Sequence, residues 1–203
     1  MSEPRARASG IVEVVPGLWH WWLHDERIDF VGDSYALASD DGAILIDPHR
    51  PPPDALERLP ETQAICLTAG SHQRSAWRLR RELGVPVHAP ALVREVEEEP
   101  DVRYGDGDSL PGGLVAYFTP GAGTTQHTLV RPGDKGISFC PDLLLRSEGG
   151  PLEMVPDEFL VDPEEARRSV ATLLELPFTL LCLTHGGPIA DDPKGAIRAL
   201  LGR

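Results

Sequence analysis

Ala64-Ile65-Cys66-Leu67, running into Thr68-Ala69-Gly70-Ser71-His72-Gln73-Arg74, is the stretch from which the fold is read. Four consecutive apolar residues suit a short strand buried on both faces, as in a parallel sheet covered by helices. After the polar loop, residues 75–83 show apolar positions at helical spacing, and Gly84 stands where a helix ends. Upstream, residues 11–15 and 18–23 read as strands joined by Pro16-Gly17. A third strand, 35–38, leads through Asp40-Asp41-Gly42 into Ala43-Ile44-Leu45-Ile46-Asp47, the spacing of a hairpin. Pro51-Pro52-Pro53 breaks the chain before a short helix over 54–58. Downstream, a strand at 85–88 is followed by a short helix over 91–99. The second half repeats the plan, with strands at 114–118, 128–130 and 136–140, a helix over 163–174, a buried strand at 179–183 and a helix over 192–201. Hairpins joined to a strand–helix block in each half predict an α/β (α+β) fold of two mixed β-sheets with helices packed outside them. Residues 1–10 read as a disordered N-terminal tail, and 11–203 as a single domain.

Composition narrows the class. The chain has 203 residues and a formal net charge of -13, enough length for one well-cored domain. Its hydrophobic share of 41% and charged share of 25% are those of a globular protein. With 32 acidic residues against 19 basic ones, it carries no cationic footprint for a nucleic acid. No apolar run approaches the roughly 20 residues that span a bilayer, and no apolar signal core follows Met1. Cys66, Cys140 and Cys182 are odd in number, lie in apolar stretches and have no metal-ligand spacing. They read as reduced thiols, so the expected setting is cytoplasmic, with no membrane partner.

The loops after buried strands are where chemistry gathers. Here they are Ile46-Asp47-Pro48-His49, the 67–74 loop, Thr119-Pro120-Gly121-Ala122, Cys140-Pro141-Asp142-Leu143, and Leu183-Thr184-His185-Gly186-Gly187. In order and spacing these segments resemble the metallo-β-lactamase superfamily over nearly the whole chain. The resemblance implies the αββα sandwich, with two metal ions activating a water for hydrolysis. Asp47 matches the aspartate ending the early strand, Asp142 the carboxylate that bridges the metals, and His185 the last histidine ligand. The other five ligand positions hold Ala69, Ser71, Gln73, Arg74 and Ala122. Alanine donates nothing and arginine brings a cation, so the resemblance implies the scaffold without a dinuclear centre.

Two readings of such a site stay open. In one, no metal is bound and Arg74 stands in for the cation beside Asp142, its guanidinium satisfying the carboxylate. In the other, His72 joins Asp142 and His185 around one divalent metal: zinc, iron or manganese. His72, Arg74, Asp142 and His185 are the candidate catalytic residues, with His72 or His185 as general base. Ser71, Gln73 and His127 are candidate substrate-binding residues. The implied function is a hydrolase-like protein acting on a small ester, thioester, lactone or phosphoester. The alternative is a metal-free binding or assembly protein that keeps the cleft.

Plainer readings stand beside these. A histidine after a strand is commonly a hydrogen-bonded structural residue, which applies to His72 and His88. Asp47 suits capping of loop amides. Ser71 and Ser75 lack a Gly-x-Ser-x-Gly elbow. Cys140, two residues before Asp142, needs a neighbouring base to act as a nucleophile. Trp19-His20-Trp21-Trp22 alternates between core and surface, or makes a ligand-stacking surface or a homodimer patch.

Overall fold

The computed structural model describes residues 3–147 and 149–202. Its first sheet takes β1 (Val12–Val15), β2 (Leu18–Asp25), β3 (Phe30–Ser39), β4 (Gly42–Ile46), β5 (Thr62–Cys66), β6 (Val87–Pro90) and β7 (Val102–Tyr104) in chain order. The second uses β8 (Ser109–Leu110), β9 (Leu114–Phe118), β10 (His127–Arg131) and β11 (Ile137–Cys140). After a separate hairpin of β12 (Leu144–Arg146) and β13 (Leu152–Met154), it is completed by β14 (Leu180–Leu183) and β15 (Pro188–Ile189). Helices α1 (Ala55–Arg58) and α2 (Ala76–Leu83) pack on the outside of the first sheet, α3 (Pro163–Thr172) and α4 (Pro193–Leu201) on the second. This is the expected αββα sandwich of mixed sheets.

Strand periodicity builds the layers. Ile44 and Ile46 of β4, with Ala64 and Cys66 of β5, point into the space between the sheets, where Leu114, Leu129 and Phe139 meet them. The alternate residues Leu45 and Ile65 point outward against Trp77 and Leu79 of α2. Both faces of these strands are therefore dry, which is why they spell continuous apolar runs. Trp21 sits in the outer core while Trp22 is 47% exposed, so the tryptophan hairpin alternates between core and surface.

Helix ends follow their local chemistry. Gly84 closes α2 at a φ of 70°, its amide donating to the Arg80 carbonyl at 2.8 Å. Asp162 and Asp192 cap α3 and α4 by accepting from the amides of Glu165 and Gly195, each with proline next in the chain. The helix expected over 91–99 is absent, and the segment is irregular. Its carbonyls are taken by side chains instead: Arg103 donates to Ala91 and Val93, and the Gln73 amide to Glu95. Sequence periodicity passes over the two- and three-residue strands β7, β8, β12, β13 and β15, which are too short to show a period of two.

Residues Met1, Ser2, Glu148 and Arg203 of the expected tail and domain lie outside the described residues. From Glu3 onward the N-terminal segment lies against the sandwich. Glu3 accepts from Arg78 of α2, the Ala8 amide donates to the Arg50 carbonyl, and Ala8 is buried. Among the described residues no helix is long and apolar enough to cross a membrane.

Two parallel pairings place the site. β4 runs parallel to β5, and β11 parallel to β14. Parallel neighbours end at the same edge, so Asp47 emerges beside Thr68 in one sheet and Asp142 beside Thr184 and His185 in the other.

Candidate active site

The strand ends converge on a chain of charged groups. Asp47 leaves β4 at a φ of 45°, and Arg74 sits at a φ of 41°. A left-handed backbone is costly for arginine, and such strain persists where the surroundings over-determine it. One carboxylate oxygen of Asp47 accepts from the Thr68 amide at 2.8 Å, and the other from the Thr68 hydroxyl. That second oxygen also lies 2.9 Å from His72 Nδ1. His72 sits on a short 3-10 turn, Gly70–Gln73, and its Nε2 reaches Asp142 Oδ2, again at 2.9 Å. The Thr184 hydroxyl donates to Asp142 Oδ1 at 2.8 Å, and His185 Nε2 is 3.3 Å from the same oxygen.

His72 thus lies between two carboxylates. Its side chain is 4% exposed, and burial opposes its charge, yet Asp142 and Asp47 outweigh that and push its pKa up to about 9. The ring is an imidazolium at neutral pH, with each N–H given to one aspartate. Burial alone would raise Asp142, but the charges of His72 and His185 and their hydrogen bonds hold its carboxyl well below the usual range. Of the two aspartates, Asp142 is the one open to solvent, its side chain 29% exposed against 2% for Asp47.

His185 is oriented from its other nitrogen. Nδ1 donates to the Val31 carbonyl at 2.6 Å, which orients the ring and turns Nε2 toward Asp142. Phe30 packs edge-on against this ring at 5.1 Å between centroids.

The geometry corrects the place expected for Arg74. Its guanidinium donates to the main-chain carbonyls of Asp33 and Asp47. The cation touching Asp142 is His72. Arg74 acts on its other neighbour: burial, then the adjacent guanidinium, drives His49 far below the ordinary histidine range and keeps that ring neutral.

Asp142 and His185 line a cleft of about 1220 Å³. Ser71 and Gln73 line it too. Gln73 is spent on structure, its amide nitrogen bonded to the Gly70 and Glu95 carbonyls and its oxygen accepting from Trp77 Nε1 and the Glu97 amide. His127 is not in this cleft. It lies against Tyr104 and Phe118, in a separate hollow, with Nδ1 bonded to the Thr125 carbonyl. Cys140 is buried and its thiol pushed up to about 12, so no thiolate forms at neutral pH.

Sequence reading missed Thr68, Thr184 and Asp33. Asp33 bonds His20 at 2.5 Å and accepts from the amides of Gly186 and Gly187, which tethers the loop carrying His185. The available signal was position: the two threonines are the first polar residues after buried apolar strands, and Asp33 interrupts a strand. Among the described residues, no group of three or more His, Cys, Asp or Glu is set to hold a metal ion.

No protein-family model and no curated protein matches the chain, whereas solved structures do. A metallo-β-lactamase from Pontibacter korlensis is 16% identical at a TM-score of 0.72, the match covering 96% of this chain and 99% of that one. An archaeal metallo-β-lactamase superfamily protein from Sulfolobus tokodaii is 13% identical at a TM-score of 0.65, covering 84% and 79%. A third, TTHA1623, solved in a di-iron-bound form, is 23% identical at a TM-score of 0.59, covering 78% and 89%. The chain has the metallo-β-lactamase fold.

Proposed function

We propose that this protein is a hydrolase-like enzyme that works without the dinuclear metal centre of its fold, its water activated by His185 beside Asp142. The observation that carries the reading is the Asp47–His72–Asp142 chain, in which both ring nitrogens of His72 are 2.9 Å from a carboxylate. An imidazolium there supplies the positive charge that would otherwise come from a metal. Asp142 already accepts from Thr184, and alanine stands at two positions where the fold's relatives would place a ligand, so the donors do not fit a pair of cations. Sequestering three charged groups costs desolvation that an apolar core would avoid, and such arrangements cluster at reactive sites.

The chemistry is acyl or related ester hydrolysis. A water donates a proton to His185 Nε2 while its oxygen attacks the ester carbon, and the proton then passes to the leaving alkoxide. Asp142 Oδ1, 3.3 Å from Nε2, stabilises the imidazolium formed between the two steps. His72 keeps Asp142 in place and ionised. A non-catalytic binding protein is the second reading, favoured by Gln73, whose side chain is wholly committed to holding the cleft wall.

Hydrolysis of 4-nitrophenyl esters in excess EDTA, with elemental analysis of the same sample, tests the first reading. It expects turnover without stoichiometric metal and a loss of about 100-fold or more in His185→Gln. Turnover abolished by EDTA and restored by zinc, iron or manganese overturns it. Background rates in the wild type favour the binding protein.

A further inference from the structure

The cleft beside Asp142 is mostly apolar. Ile28, Phe30, Leu92, Phe159 and Val161 all line it, and all are large apolar residues between 47% and 69% exposed. Single exposed apolar residues are ordinary, but five around one concavity mark a binding surface. They come from three separate segments: the β2–β3 connection with the first residue of β3, the irregular loop after β6, and the stretch after β13. No single loop's composition accounts for them.

Charge narrows the occupant. The lining contributes Asp142, Glu95 and Glu97 against Arg94, in a chain of net charge -13. A phosphoryl or carboxylate group would bring a further negative charge toward the Asp142 carboxylate, whose own cation is already committed beneath it. The remaining recognition group is neutral. Gln126, another lining residue, is 2% exposed, and its Nε2 has no hydrogen-bond partner. A buried, unpaired amide N–H is costly, and an uncharged oxygen acceptor satisfies it.

We infer that the cleft takes an uncharged carboxylic ester or lactone with an extended apolar acyl chain. The chain lies along Ile28, Phe30, Leu92, Phe159 and Val161, and an oxygen of the ligand accepts from Gln126 Nε2 once that amide, shielded from solvent in the free protein, turns toward it. Phosphoesters and acidic thioesters are disfavoured. Turnover of this ligand rests on the hydrolase reading above, but its binding does not.

Titration calorimetry with decanamide, an uncharged and unhydrolysed relative of such esters, reads binding alone. The expected results are saturable binding, at least tenfold weaker binding of decyl phosphate, and roughly tenfold weakening in Phe159→Ser and in Val161→Ser. Both side chains are exposed, so these variants keep the fold. Gln126→Met, which keeps bulk and removes the donor, is expected to weaken decanamide several-fold. Absence of decanamide binding, equal or tighter binding of decyl phosphate, or indifference to both serine variants overturns the inference. Indifference to Gln126→Met overturns that residue's part in it. Hydrolysis of 4-nitrophenyl decanoate and acetate is measured in parallel. Decanamide binding without turnover of either ester removes the hydrolase reading and leaves the cleft's ligand class standing. Turnover of the acetate without decanamide binding does the reverse.

Discussion

At the scale of single residues, the candidate site is built around a histidine held charged. His72 has its folded pKa raised to about 9 from an ordinary 6.5. Its contribution to stability is therefore complete below about pH 6.5 and lost as pH rises through about 9. Asp142 has the opposite sign. Its carboxyl lies well below the ordinary 3.8, so its contribution is present above that value and lost as pH falls below it. Thermal melts across pH 5 to 10 are expected to show stability falling on the alkaline side by an amount on the order of 3 kcal/mol. His72→Gln is expected to flatten that alkaline slope, and an unchanged slope in the variant would assign it elsewhere. Asp47→Ala leaves the buried imidazolium with one partner, and denaturant unfolding should register a loss of about 3–5 kcal/mol. Of these residues, the sequence marked His72, Asp142 and His185 by their positions after strands. It placed Arg74 wrongly, because a guanidinium on a long side chain can reach several acceptors and only the folded backbone shows which carbonyls surround it.

At the scale of elements, the site is held by connections where regular structure stops. Gly121, in the loop leading to β10, has a φ of 133°, and a Cβ there would meet the Ala166 backbone of α3 at 2.4 Å. Gly121→Ala is expected to part this loop from α3 and cost about 1–3 kcal/mol or more, read by denaturant unfolding. A neutral effect would show that the loop and helix can separate freely. Asp162→Ala removes the cap of the same helix, with an expected cost of about 1 kcal/mol. The α2, α3 and α4 segments were legible because caps, prolines and apolar spacing agree within each. The 91–99 segment was not. Its apparent helix signal loses to Gln73 and Arg103, distant residues that bind its carbonyls and amides, and no local pattern contains them.

At the scale of the whole molecule, the two sheets are joined at the site edge by groups from both. The Asp33 amide donates to the Thr184 carbonyl, its carboxylate accepts from Gly186 and Gly187, and the Tyr35 hydroxyl donates to the Leu183 carbonyl. Asp33→Ala would release His20, two loop amides and the loop that carries His185. Hydrogen exchange should then show faster exchange at residues 184–187. Protection unchanged in that loop would mean that the sheets are coupled by the apolar layer alone.

The sequence by itself determined the layered fold, since a period of two, continuous apolar runs and helix caps are local patterns set by burial and backbone geometry. It also determined that alanine, serine, glutamine and arginine stand where the resemblance places metal ligands. Only the tertiary structure decided which cation meets Asp142, that Gln73 and Arg74 serve the backbone, and that His127 faces away from the cleft. Those outcomes depend on groups brought together from up to 154 residues apart in the chain, as with the His185 ring and the Val31 carbonyl. Coulomb and hydrogen-bond energies depend on distances of a few ångströms, and those distances exist only once the two sheets have closed on each other.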